Sequence, residues 1–173
     1  MNTVILGNLI SLAGCLLMVL IGFLRKKSHI LTAQCFQFGL LGLANLILGA
    51  TSGFISGIVG ITRNLVFSKV KSTLWLKIFF IALQVALSLP FVGNGLIDFC
   101  PIFAAVLFTW CIETRSEVVL KVFIILAQVF WLIFDFYYQN FTAMTFDAFT
   151  VASNLIGIFW SKKADKCQKE VPL

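Results

Sequence analysis

Charged side chains are scarce in this sequence: they make up 12% of 173 residues, against 60% apolar, and the mean hydropathy is +1.02. A chain of this length cannot hide so much apolar surface in a water-soluble core, so an integral membrane protein is implied. Histidine is reduced to His29, at a helix start, and the five cysteines (Cys15, Cys35, Cys100, Cys111, Cys167) show no Cys-x-x-Cys spacing. Four of them lie in apolar runs, where a thiol behaves as a small hydrophobe, so no disulfide, metal site or cofactor is expected. The last apolar run has no lysine to form a Schiff base, which excludes a retinal-type chromophore. The Gly-x-Gly-Asp context of intramembrane aspartyl chemistry is missing around Phe134-Asp135 and Phe146-Asp147, so an enzyme is not expected.

What is present is hydrophobic and punctuated. Seven spans are predicted, at Val4–Leu24, Ile30–Gly49, Gly53–Phe67, Leu74–Val92, Leu96–Cys111, Val118–Tyr138 and Phe141–Trp160, near the length that a roughly 30 Å hydrocarbon core demands except for the third and fifth, which are short. The net charge of +6 comes from basic residues that flank the spans and form no stripe, so it reports topology and no nucleic-acid partner. Arg25, Lys26 and Lys27, then Arg63, Lys69, Lys71 and Lys77, then Arg115 and Lys121, then Lys162 to Lys169 all fall on one side. The positive-inside rule puts the N-terminus outside and the C-terminus in the cytoplasm. Trp75, Trp110 and Trp160 stand at the inner ends of their spans, while Trp131 is deep in the sixth. With no basic residue before the first run and three after it, that run reads as a transmembrane helix and not a cleaved signal.

Gly53, Gly57, Gly60 and Asn64 share one helical face, and ninety residues on Ala143, Asp147, Thr150 and Asn154 do the same. The same offset carries Asn8 onto Asp98, Arg25 onto Arg115 and Asn45 onto Asp135. Duplication of a three-helix unit follows. Two copies in the same orientation need one helix between them, so the predicted fold is an all-α membrane protein of 3+1+3 helices. Residues 1–71 form the first repeat, 72–92 the linker helix, and 93–173 the second repeat with a cytoplasmic tail. Gln84 in the fourth span fits a connector.

The stretches GIVGITRNLVF at Gly57–Phe67, WLIFDF at Trp131–Phe136 and SNLIGIFW at Ser153–Trp160 resemble the bacterial inner-membrane YgjV-type family over nearly the whole chain. That resemblance implies a layout similar to SWEET and PQ-loop transporters, which bind substrate through an asparagine on the third helix of each unit. The chain departs from that pattern in having Pro101 in the fifth span but Ser11 at its counterpart, and no Pro-Gln pair.

Polar groups inside a bilayer are costly and so are candidates for function. Asn64 and Asn154, on equivalent helices, are expected to approach a common axis, where amides suit a hydroxylated or nucleoside-like solute. Asp147, Thr150, Ser153 and Asn154 form a stripe fit for a cavity wall. Asp98, Asp135 and Asp147 are the charges of the outer half and would attract cations, with Asp98 and Asp135 alternatively hydrated at the interface. Asn45, and Trp131 beside Gln128, complete the candidate solute-binding set. Asp147 is expected about 10 Å below the outer end, lining an outward vestibule. Arg63 is expected at a lipid phosphate or at Glu113 or Glu117, and Lys77 and Lys121 snorkel to the inner face. The expected function is transport of a small polar neutral or cationic solute by alternating access. The alternatives are a non-transporting scaffold or receptor and, third, an intramembrane aspartyl protease. Expected partners are the bilayer and the solute, with a homo-oligomer left open; a pocket would separate transport from scaffolding.

Overall fold

The computed structural model describes residues 2–21, 27–71, 73–93, 95–111, 114 and 117–169. Among these, all regular structure is helical: α1 (Thr3–Ile21), α2 (Lys27–Ile47), α3 (Thr51–Lys69), α4 (Leu74–Ser88), α5 (Cys100–Cys111), α6 (Glu117–Tyr137) and α7 (Phe141–Lys169), with 3-10 turns at Leu89–Phe91 and Gly95–Phe99. The helices begin within about a turn of the expected spans, and α7 runs on beyond its own. Arg25, Lys26, Asn94, Glu113 and Arg115, and the side chains of Lys27, Glu117, Trp160 and the tail, lie outside the described residues.

Local chemistry sets the boundaries. Thr73 caps α4, its side chain accepting from Leu76 N at 3.3 Å. Pro90, which lacks the N–H to continue the ladder, turns the chain into the 3-10 segment. Pro101 is the second residue of α5, where a missing N–H costs nothing, so it starts that helix instead of bending it. Gly49 has φ 80°, and Ala50 N donates to Asn45 O at 2.7 Å while Gly49 N donates to Leu46 O at 3.1 Å. This is the left-handed closure that ends many helices. The same pattern recurs at Gln139, with φ 59°, where Asn140 N donates to Asp135 O at 2.8 Å and Gln139 N to Phe136 O at 3.3 Å. The bounds of α2 and α6, and the starts of α3 and α7, also stand ninety positions apart.

Thr3–Ile21, Leu74–Phe91, Val118–Tyr137 and Phe141–Phe159 are long and apolar enough to cross a membrane, and Leu31–Ile47 and Gly95–Cys111 are shorter apolar helical stretches. Helix α3 is in neither group because it carries Ser52, Ser56, Arg63 and Asn64, all buried among its neighbours. A helix walled off from lipid has no need to be apolar.

The helices close a ring. α1 packs on α2, α2 on α3, α3 on α5, α5 on α6, α6 on α7, and α7 back on α1, while α4 lies against α3 and α5. Among the described glycines the closest approach to a neighbouring backbone is at Gly57, where an added Cβ would come 3.0 Å from Phe38 O and 3.4 Å from Gly42 Cα. Phe67 and Phe80 meet edge to face at 5.5 Å and fasten α4 to α3. Large apolar side chains such as Phe36, Phe149 and Phe159 face outward, as a lipid-solvated surface requires.

Candidate functional site

The six-helix ring encloses a cavity of about 320 Å³, to which α4 contributes nothing. It exists because small residues point inward where large ones would fill the space: Gly53, Gly57 and Gly60 on α3, Ala104 and Ala105 on α5, Ala127 on α6 and Ala143 on α7. That volume is at the lower end of the range for small-molecule sites.

At the end where α3 and α7 begin, two carboxyl groups meet. Asp135 on α6 and Asp147 on α7, 3% and 8% exposed, lie next to each other on the cavity wall. Asn140 positions them. Its Oδ1 caps α7 by accepting from Ala143 N at 3.4 Å, and its amide donates to Asn45 Oδ1 at 3.4 Å. Among the described residues no N–H or O–H group reaches the buried Oδ2 of Asp147, a residue of the cavity wall.

The other end holds a guanidinium. Arg63, 4% exposed, donates from Nη1 to Thr109 Oγ1 at 3.0 Å and from Nε and Nη2 to Asn64 Oδ1 at 3.4 and 3.3 Å. Its Cζ lies 4.7 Å above the Phe108 ring. Thr109 gives its own hydroxyl proton to Ala105 O at 2.7 Å, so its oxygen is free to accept. Asn64 donates onward to Gln34 Oε1 at 3.0 Å, which holds its Oδ1 toward the arginine. Among the described residues no carboxylate pairs with Arg63, and two of its five N–H groups have no partner.

Of the residues expected at the site, Asn45, Gln128, Trp131, Asp135 and Asp147 line the cavity. Asn64 is fully buried just behind the wall, against Arg63. Thr150 and Asn154 are not in the lining, and Asn154 does not meet Asn64. Asn154 Nδ2 donates to Thr150 O at 2.8 Å and Thr150 Oγ1 to Phe146 O at 2.9 Å, so both are satisfied by their own helix. Ser153 is exposed and likewise bonds Thr150 O, so the expected stripe ends at Asp147. Asp147 meets Asp135 instead of standing alone in a vestibule. Asp98 is not hydrated at an interface: it is 2% exposed and accepts from Ser52 Oγ at 3.1 Å, Tyr138 OH at 2.7 Å and Gly93 N at 2.9 Å. Nor does Arg63 reach toward lipid, because Phe108 and Thr109 of α5 cover it. Its cavity position was encoded in helical spacing, since Gly53, Ser56, Gly60 and Arg63 recur at three- and four-residue intervals. Asn140 was also missed, although an asparagine directly before Phe141 is a capping signal.

A family model described as Imp-YgjV, bacterial inner membrane protein, matches residues 5–165. No curated protein and no solved structure matches the chain.

Proposed function

We propose that this chain, which belongs to the Imp-YgjV family of bacterial inner membrane proteins, carries a small polar solute through the centre of its helical ring. The observation that carries the reading is the cavity itself: about 320 Å³ at the middle of a membrane protein, with Arg63 at one end and Asp135 and Asp147 at the other. Ionisable groups at such depth are costly, and here their bonds leave donors and an acceptor free. A scaffold gains nothing from them. Alternating access is the mechanism we assign, with α1–α3 and α5–α7 moving as two units and α4 joining them. The matched helix ends at Gly49 and Gln139 support that division. The basic flanks support an external N-terminus and a cytoplasmic C-terminus.

The adjacency of Asp135 and Asp147 also favours an aspartyl hydrolase, whose chemistry needs two carboxyl groups side by side. The cavity weighs against it. One turn of substrate helix, 10 Å across and 5.4 Å high, occupies roughly 420 Å³.

A stabilisation screen of the purified protein against polar metabolites tests the proposal. At least one raises the melting temperature and is then accumulated by proteoliposomes. Binding without accumulation would make the protein a receptor.

A further inference from the structure

Arg63 and the aspartate pair belong to one cavity but to different halves of the chain. Arg63 stands twelve residues after the start of α3 and Asp147 six after the start of α7, and these helices begin at the same end of the ring. At about 1.5 Å per residue their backbones differ in depth by roughly 9 Å. The charges are not duplicated. The position ninety after Arg63 is Ser153, and the position ninety before Asp147 is Gly57. A solute with one kind of group, or one symmetric about its centre, gives no reason for such a polarised site.

The two ends are also incomplete in complementary ways. A guanidinium remains charged in proteins, and this one is nearly out of reach of water with an amide, a hydroxyl and a ring as its partners. Its unpartnered N–H groups suit a planar anion such as a carboxylate. At the opposite end Asp147 Oδ2 is an acceptor without a donor. An ammonium group supplies donors and takes up the charge of the pair. A guanidinium at one end and acceptor carboxyls at the other match a solute that is polar along its length.

We infer that the solute is zwitterionic, an amino-acid-like molecule whose carboxylate meets Arg63 and whose ammonium group meets Asp135 and Asp147. This rests on the transport reading for its biological sense but not for its test. Such a solute touches both halves of the chain at once, which a simple cation or anion cannot do.

The test uses full-length protein in detergent and three matched sets of probes at millimolar concentration: the proteinogenic amino acids, the amines left by removing their carboxylate, and the acids left by removing their amine. At least one amino acid raises the melting temperature, and its amine and acid bind at least about tenfold more weakly. Arg63→Gln brings that amino acid down to the level of its amine. Should Arg63→Gln fail to fold, Arg63→Lys keeps the charge and gives an intermediate affinity, and the wild-type selectivity stands without either variant. An amine that binds as well as its amino acid, or no amino acid binding at all, overturns the inference. Accumulation of some other polar solute in proteoliposomes alongside that result would leave transport intact and the zwitterion refuted. The predicted selectivity without accumulation would do the reverse.

Discussion

Asn8 and Asp98, ninety positions apart, make the same joint from its two sides. Asn8 Oδ1 accepts from Thr142 N at 2.8 Å, at the start of α7, and Asp98 Oδ1 accepts from Ser52 Oγ at 3.1 Å, at the start of α3. Thr142 and Ser52 are themselves ninety positions apart. Partners that exchange in this way are what a two-fold relation between halves produces. Asp98→Ala strands the Tyr138 hydroxyl, the Ser52 hydroxyl and the Gly93 N–H, and it lowers stability by about 3 kcal/mol. Asn8→Ala, at a half-buried position, costs about 1 kcal/mol. Thermal melts of the two variants check the order.

Two glycines of α2 and α3 are expected to respond oppositely to a methyl group. Gly57→Ala drives a Cβ to 3.0 Å from a backbone oxygen, so α2 and α3 must separate and stability falls by roughly 1–3 kcal/mol. Gly39 has nothing within 4 Å of its Cβ position, so Gly39→Ala is neutral or gains up to about 1 kcal/mol in helix propensity. The pair is read in one melting experiment.

Gln84 donates to Ser56 Oγ at 2.8 Å and Ser88 Oγ at 2.9 Å, while its Oε1 has no partner. Interhelical bonds in membranes average only about 0.6 kcal/mol. Gln84→Met, which keeps the volume and removes the unsatisfied oxygen, therefore changes stability by less than about 1 kcal/mol and leaves uptake unaltered.

Asp147→Asn gives the Asp135 carboxylate a permanent amide donor while removing a titrating group from the cavity. The ionisable groups around it are Asp135 on α6 and Cys15 on α1. The variant is expected to elute as folded protein, to lose at least about tenfold in uptake, and to show a flattened pH profile. Wild-type uptake at every pH would remove Asp147 from the site.

Orientation is checked by reporter fusions. Those after Lys27, after Lys71 and at the C-terminus are expected to score cytoplasmic, and one after Asn94 external. A cytoplasmic signal at Asn94 would take away the fourth crossing and, with it, two units of like orientation.

The helices were legible because they are largely apolar runs bounded by Gly, Pro or polar and charged residues, and even α3 could be read through its glycine face. The partners of the polar groups were not. The ninety-residue offset transmits residue type, whereas a side chain answers to its surroundings. Asn64 is held by Gln34 and Arg63, whose counterparts are Ile124 and Ser153. Lacking both, Asn154 turns back on its own helix. The meeting of Asp135 and Asp147 depends on how sharply the chain reverses at Asn140, which no spacing within either helix encodes.

Helix α4 fastens one seam of the ring and leaves the opposite one alone. It is tied to α3 through Gln84 and Ser56, and to α5 by Lys77 Nζ, which donates to Trp110 O at 3.4 Å. Among the described residues no helix packs across α1 and α7 in the same manner. The protein therefore has a spine and a fore-edge, as a bound volume does, and any parting of the halves is widest between α1 and α7. A covalent staple across that fore-edge is expected to arrest the movement proposed above, whereas one along the spine is expected to leave it free.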